Sequence, residues 1–439
     1  MRRIALIALL LLSACTEEAK PPATPPPTGA DISLSGPVAI DVWHSLTGPS
    51  QQALTDLVTK FNTTNAEKIT VTPRYQGSYS QLQQKSLAAT QSGTLPELLI
   101  GFESFAADLA RAGVVLPLDP YLASKKNGLD KPSQDDIYKA FLDGERYGQY
   151  GNQLLSFPFQ RALFATYQND SALKEINRTT PRTWAEFEDV ARAATKRGTP
   201  STARFGWAVT VSASTFNGWV VSRGGKLISD DGKTVAWDGK EGADALRLFQ
   251  KLIGEGVAYV PKGFDYQSDF AVGKVAFVQE SSAFRPFIAS AVKGTTVQWS
   301  IQSIPQIDSS KARTITYGPS LIVMKSTADK QLAAWLFARW LTEKDQTAEW
   351  AAATASLPLR KSAAGADPLK KAWSADEQGK QAFDQVGTAI AEPNVRGQQD
   401  VRTVIEDLLV SVASRSVPDI DKALKDAAAR ANAILKENQ

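Results

Sequence analysis

The sequence predicts an α/β protein built in two lobes, and three observations carry that reading. From Val38 onward, short apolar runs alternate with helical stretches in β-α-β-α-β order, the pattern of a sheet covered by helices. At 439 residues the chain exceeds what one hydrophobic core serves, so two lobes are expected. Its 43% hydrophobic and 22% charged content is that of an ordinary globular protein, with apolar side chains enough for both cores.

The first segment reads as an address. Arg2 and Arg3 precede the apolar run Ile4 to Leu12, which is shorter than the roughly 20 residues a membrane span needs and suits the core of a signal peptide. Leu12-Ser13-Ala14-Cys15 looks like a bacterial lipobox, so residues 1–15 are expected to be a lipoprotein signal with Cys15 as the lipidation site. An ordinary secretory signal ending beside a cysteine is the plainer alternative. Acyl chains contribute about 0.8 kcal/mol per buried methylene, so the expected location is the cell envelope, periplasmic or extracytoplasmic, anchored to a membrane. Residues 16–36 hold Pro21, Pro22, Pro25, Pro26 and Pro27 and read as a tether reaching about 60 Å when extended.

The body, 37–439, follows in order. Val38 to Val42 is a buried strand ending at Trp43-His44-Ser45. The next helix carries Leu54, Leu57, Val58 and Phe61 on one face. Ile69 to Val71 is a strand, Leu82 to Thr90 a helix, and Glu97 to Phe102 a strand. Ligands in such sheets sit beyond the carboxyl ends of the strands, which brings Trp43-His44-Ser45, Tyr75 to Tyr79 and Phe102-Glu103-Ser104 to one mouth. A second region begins near Phe157. Thr183 and Glu186 have the spacing of a capping box before an apolar face, and Phe270 to Phe277 reads as helix, turn and strand. Ile420, Leu424, Ala427, Ala431, Ile434 and Leu435 form a terminal helical stripe.

Composition removes several function classes. A net charge of +3 without a dense basic tract argues against nucleic acid as partner. One cysteine allows no internal disulfide, and one histidine leaves neither a His/Cys zinc site nor a Ser-His-Asp triad. No metal or cofactor is expected. Two-carboxylate chemistry survives, since a glycosidase needs only a carboxylate pair about 5–10 Å apart; Glu103 with Asp108 or Glu280 are its candidates.

Four segments together resemble a known family. They are Val42-Trp43-His44-Ser45, Gly77-Ser78-Tyr79, Gly273-Lys274-Val275-Ala276-Phe277, and Trp335-Leu336-Phe337 leading through Trp350 to Leu357-Pro358. In this order after a lipobox, the chain resembles the family 1 extracellular solute-binding proteins of ABC importers, which include maltose- and glycerol-3-phosphate-binding proteins. The resemblance implies a two-lobed periplasmic-binding-protein fold of type II with the ligand in the cleft between lobes. We expect the first lobe to take about 37–155 plus 283–330, and the second about 156–282 plus 331–439.

The likeness is greatest to the glycerol-3-phosphate binders, whose positions carry over singly. Tyr79 falls at a phosphate-side tyrosine, Glu103 at a carboxylate meeting glycerol hydroxyls, and Ser281 at a hydroxyl after a strand. Gly318 falls at a close backbone approach and Arg402 at the phosphate-binding arginine. Two positions depart: Ala162 replaces an expected serine after Pro158-Phe159, and Ser356 an expected tyrosine. Arg161, beside the first gap, could compensate as a charged donor. Trp43 and Trp207 are the better candidates for stacking on sugar faces, with Trp184 and Trp219 reading as core and His44 as a structural residue. The expected function is a non-enzymatic, monomeric receptor. It captures glycerol-3-phosphate or a glycerophosphodiester and presents it to importer permease subunits. A sugar receptor is the alternative, and a surface glycoside hydrolase or an adhesive lipoprotein stands further off.

Overall fold

The structure is a computed structural model that describes residues 29–199 and 203–438. Cys15, the signal segment and tether residues 16–28 lie outside the described residues.

Local sequence accounts for the first lobe. In β1 (Val38–His44) Ile40, Val42 and His44 are buried, the period-two pattern of a half-buried strand. α1 (Gly48–Thr64) has a proline in its first turn and buries Leu54, Leu57, Val58 and Phe61. β2 (Ile69–Tyr75) and β3 (Leu98–Gly101) flank β1 in parallel. Between them α2 (Tyr79–Ser92) starts before Leu82, because Ser78 and Gln81 close a capping box that satisfies two otherwise orphaned N–H groups. α3 (Glu103–Arg111) follows β3 through Phe102 alone, so Glu103 stands on a first helical turn at the strand's carboxyl end.

β4 (Phe157–Pro158) is the last strand of this sheet, and residues 159–161 then lead into the wholly buried β5 (Ala162–Asn169) of a second sheet. α4 (Trp184–Ala194) begins at the capping box of Thr183 and Glu186. β6 (Phe205–Val209), α5 (Ala213–Ser222), α6 (Lys240–Gly254), β7 (Ala258–Tyr259), α7 (Asp265–Ala271), β8 (Val275–Ser281), α8 (Arg285–Val292), β9 (Trp299–Gln302) and β10 (Thr314–Tyr317) follow. Gly273, at φ +75°, makes the turn between α7 and β8. The chain returns through Gly318 and Pro319 to β11 (Ser320–Val323), antiparallel to both β3 and β4. α9 (Ala328–Leu341) and α10 (Lys344–Thr354) cover β1 and α1. After α11 (Asp367–Ala375) and α12 (Glu377–Phe383), which lies against β9, β12 (Ala389–Ala391) pairs with β10. α13 (Gln398–Ala413) and α14 (Ile420–Glu437) pack on each other and on α6. The strand orders are β2-β1-β3-β11-β4 and β12-β10-β5-β8-β6-β7, with β9 also on β5.

This pairing redraws the expected lobe boundaries. β9 and β10 both pair with β5, so residues 299–317 belong to the second lobe, not the first. α9 and α10 cover the first sheet, so residues 328–354 belong to the first lobe, not the second. The chain passes between lobes at 159–161, at 318–319 and between α10 and α12, and strand pairing, not sequence order, fixes where each segment lies.

The end of the expected tether is also corrected. Residues 29–35 dock on the first lobe. Asn127 Nδ2 donates to the carbonyls of Ala30 at 2.7 Å and Ile32 at 3.0 Å, and Ser124 Oγ donates to that of Ala30 at 3.1 Å. Ile32 and Leu34 pack against the core. A spacer would leave these carbonyls in water; here they replace water with fixed donors.

Candidate functional site

The carboxyl ends of the strands face one another across the lobe boundary. In the first lobe they are His44, Tyr75 and Gly101; β6, β8, β10 and β12 all run the same way and end at Val209, Ser281, Tyr317 and Ala391. The residues just beyond these ends form the cleft walls.

On the first wall, Glu103 retains 18% side-chain exposure. Burial pushes its carboxyl up to about 7; Arg161 opposes that rise, while Glu145 and Glu392 add to it. The charge of Glu392, from the second lobe, therefore reaches Glu103 across the cleft. Tyr79 packs against Phe102, ring centres 4.5 Å apart and tilted by 44°, and burial and the charge of Glu103 both favour its protonated hydroxyl. Those two expected residues are brought together.

Arg161 is corrected from a ligand donor to a hinge staple. It is 2% exposed, and its Nη1 donates to the carbonyls of Gly318 at 2.8 Å, Gln160 at 2.9 Å and Pro319 at 3.1 Å. Its Nη2 donates to Ser320 Oγ at 3.0 Å and pairs with the fully buried Glu145, leaving Glu103 at 3.5 Å. One guanidinium thus ties together two of the three crossing segments, 159–161 and 318–319, and lies 3.5 Å from Glu103 on the cleft wall. Glu145 is further held by Ser156 and Ser320, and Tyr147 Oη bonds the Glu103 carbonyl at 2.8 Å. Gly318 belongs to the same junction. A Cβ there would meet the Gln160 carbonyl oxygen at 2.1 Å, at a φ of +147°, so the close approach is to the neighbouring crossing strand, not to a ligand.

On the second wall, Arg402 Nη1 bonds Glu392 at 2.7 Å and Nη2 donates to Ser214 Oγ at 3.1 Å. Asn217 Nδ2 donates to the other Glu392 oxygen at 2.9 Å. Ser281 caps the turn after β8 by accepting from Ala283 N at 3.3 Å, and the Tyr317 hydroxyl lies against it, with Arg402, Glu392 and Glu280 near. Glu280 accepts from the N–H of Ser281 at 2.7 Å, and burial raises its carboxyl. Glu145, Ser214, Asn217, Tyr317 and Glu392 carry no local pattern that marks them in the sequence.

The tryptophans stay out of the cleft. Trp207 is 1% exposed and packs among Trp184, Trp219, Phe187 and Phe249, which corrects its expected role as a sugar platform. Trp43 packs half-buried with the Leu82 and Phe105 cluster and lines a groove of about 360 Å³ with Glu97 and Lys330, at the opposite end of β3. His44 is buried, its pKa lowered by that burial, and accepts from Leu46 N at 3.2 Å. Asp108 turns to Gln83, at 2.9 Å. A groove of about 570 Å³ around Arg178, Arg182 and Asp189 touches one lobe only.

The described residues contain no helix long and apolar enough to cross a membrane and no group of side chains arranged to hold a metal. Residues 56–378 match the family of bacterial extracellular solute-binding proteins. The sn-glycerol-3-phosphate-binding periplasmic protein UgpB of Yersinia enterocolitica is 22% identical over 422 residues, covering 90% of this chain and 92% of that protein. Among solved structures, the cyclic α-maltosyl-1,6-maltose binding protein of Arthrobacter globiformis superposes with a TM-score of 0.78 at 22% identity, over 92% of this chain and 100% of that one. UgpB of Mycobacterium tuberculosis, in complex with glycerophosphocholine, gives 0.73 at 21% identity, over 92% and 99%. Both carry the same two-lobed α/β fold. The chain belongs to the bacterial extracellular solute-binding proteins, the capture components of ABC importers.

Proposed function

We propose that this receptor captures a polyhydroxylated, sugar-type ligand between its lobes, without turnover, and presents it to importer permease subunits. The observation that carries the reading is the bond between Arg402 and Glu392. The arginine expected to hold a phosphate is already neutralised by a carboxylate on the same wall. Arg161 is likewise held by Glu145 and hinge carbonyls. A phosphate dianion entering here would meet Glu103 and the cation-free Glu280 while both arginines are already engaged, and like charges at short range are strongly unfavourable where water is excluded. Sugar hydroxyls suit such a wall, because a carboxyl group accepts their hydrogen bonds in either protonation state. Glu103, Tyr79, Ser281 and Asn217 are the contacts we assign. Lipidation at Cys15 and a monomeric state complete the reading.

A second reading, capture of glycerol-3-phosphate or a glycerophosphodiester, draws on one specific feature. Arg402, Glu103, Tyr79 and Ser281 all border the cleft, and the Yersinia relative is named for that ligand. Isothermal titration of the full chain carrying Cys15→Ser, with maltose and with glycerol-3-phosphate, separates the two. Binding of maltose that weakens at least tenfold in Glu103→Ala supports the first. Binding of glycerol-3-phosphate alone, lost in Arg402→Ala, overturns it in favour of the second.

A further inference from the structure

Among the charged groups bordering the cleft, Glu280 stands apart. Glu392 has Arg402, and Glu145 has Arg161. Glu103 has Arg161 at 3.5 Å. Among the described residues Glu280 makes no ion pair; its donors are the Ser281 N–H at 2.7 Å and the nearby Thr210 hydroxyl. It sits one residue from the carboxyl end of β8, paired in the ladder with Ala165, and is partly exposed.

Its surroundings are aromatic. Tyr167, Tyr266 and Tyr317 all lie within reach of its charge, and Tyr167 is fixed by donating to the Ser281 carbonyl at 2.6 Å. The Tyr266 hydroxyl, in a residue 1% exposed, forms no well-made hydrogen bond, although Glu280 is the charge it feels most. The Tyr266 hydroxyl is thus a buried group without a partner, close enough to feel a carboxylate that lacks a cation. A buried hydroxyl without a partner and a mostly buried carboxylate without a cation each cost the folded protein free energy. A bound group carrying N–H donors and a positive charge would pair with the carboxylate and donate to the Tyr266 hydroxyl oxygen.

We infer that the cleft has a subsite at Glu280, Tyr266 and Tyr317 for a protonated amine borne by the polyhydroxylated ligand, as in an amino sugar or aminocyclitol. This rests on the sugar-type reading of the cleft and narrows it. In the subsite the ammonium donates to Glu280, and the remaining hydroxyls reach Glu103 on the opposite wall.

The test uses three disaccharides of the same linkage: the dimer of glucosamine, its N,N′-diacetyl form, and cellobiose. Each is titrated into the full chain carrying Cys15→Ser at pH 6, where the amines are protonated. The subsite requires the glucosamine dimer to bind at least tenfold tighter than either neutral sugar. In Glu280→Gln that ratio falls to about one, and raising salt from 0.05 to 0.5 M narrows it in the parent protein, as an ion pair demands. The salt arm stands even if the variant misfolds. Neutral sugars binding as tightly as the amine overturn the subsite while leaving the sugar receptor intact. A preference that survives Glu280→Gln overturns the assignment to Glu280. No binding by any of the three overturns both the subsite and the sugar reading.

Discussion

Arg161 Nη2 lies 3.5 Å from Glu103 Oε1, joining a cleft-wall carboxylate to the guanidinium that staples two of the crossing segments. Glu103 therefore feels two opposed influences, burial favouring its neutral form and Arg161 its charged form, and burial wins, pushing it from 4.5 up to about 7.

That displacement has a sign in stability. The folded protein holds the Glu103 proton to higher pH than the unfolded chain does, so stability contributed by this group is full below about 4.5 and falls as pH rises toward about 7. Glu103→Gln removes one proton from the linkage. Its denaturant-unfolding free energy should fall less steeply across this window, by at most about 1.4 kcal/mol per pH unit. An unchanged slope would mean that Glu103 ionises as it does in the unfolded chain.

Freeing Arg402 should change the ligand preference. Glu392→Gln keeps the side-chain shape and a hydrogen-bond acceptor but removes the charge that neutralises the arginine. A charge-assisted bond to phosphate contributes about 1.5–3 kcal/mol. Glycerol-3-phosphate affinity, measured by isothermal titration, should therefore rise at least tenfold over the parent protein. No gain would show that Arg402 does not face the ligand.

These two cases mark how far the sequence carries. The β-α-β order, the helix faces of Leu54 to Phe61 and Ile420 to Leu435, and the caps at Thr183 and Glu186 are local patterns, and local physics formed them as expected. The positions of Glu103 and Ser281 at the strand ends are readable from the strand pattern alone. Glu145 and Glu392 are not, since each matters only through an arginine distant in sequence, and pairing across 16 and 10 positions leaves no periodic mark. Arg161 misled for the same reason. Beside a gap in a binding motif it resembles a spare donor, and only the fold shows its five hydrogen bonds already taken up by the hinge and Glu145. Trp207 misled through composition, because an aromatic in a strand reads alike in a core and at a cleft. The lobe boundaries failed where the chain doubles back at 318–319, a crossing of two residues with no helix to signal it.

Removing the hinge staple should be costly and recoverable. Arg161→Met strands Glu145, which is 0% exposed, without its cation, and an uncompensated buried charge destabilises by about 3–5 kcal/mol. Adding Glu145→Gln should restore most of that loss in urea unfolding, since the stranded charge is then gone. If the double variant is no more stable than Arg161→Met, the lost hinge hydrogen bonds, not the stranded carboxylate, dominate.

The junction also has a steric limit at Gly318. An alanine there places a Cβ 2.1 Å from the Gln160 carbonyl oxygen, too close for either crossing strand to keep its path. Gly318→Ala should lower stability by more than about 1 kcal/mol, the usual scale for forcing a side chain into an incompatible backbone. It should also alter the solution radius of gyration by small-angle scattering, because the strands set the angle between lobes. A variant with parental stability and shape would show that the strands part without cost.

The docked segment 29–35 bears on how the body is held. Any pull on the chain ahead of residue 29 would reach the first lobe at Ala30 and Ile32, where Asn127 Nδ2 bonds both carbonyls, and not at β1. Asn127→Ala removes those two bonds, each with a net worth of about 1 kcal/mol, and leaves the segment held more by the partly buried Ile32 and Leu34. Leu34 should then become a chymotrypsin site. Mass spectrometry should find cleavage after Leu34 at least fivefold faster than in the parent chain, with the body from Val38 onward intact in both. Equal rates would place the hold on this segment elsewhere, at Ser35 with Asp329 and Ser33 with Lys126, where Asp329→Ala is the next variant to cut.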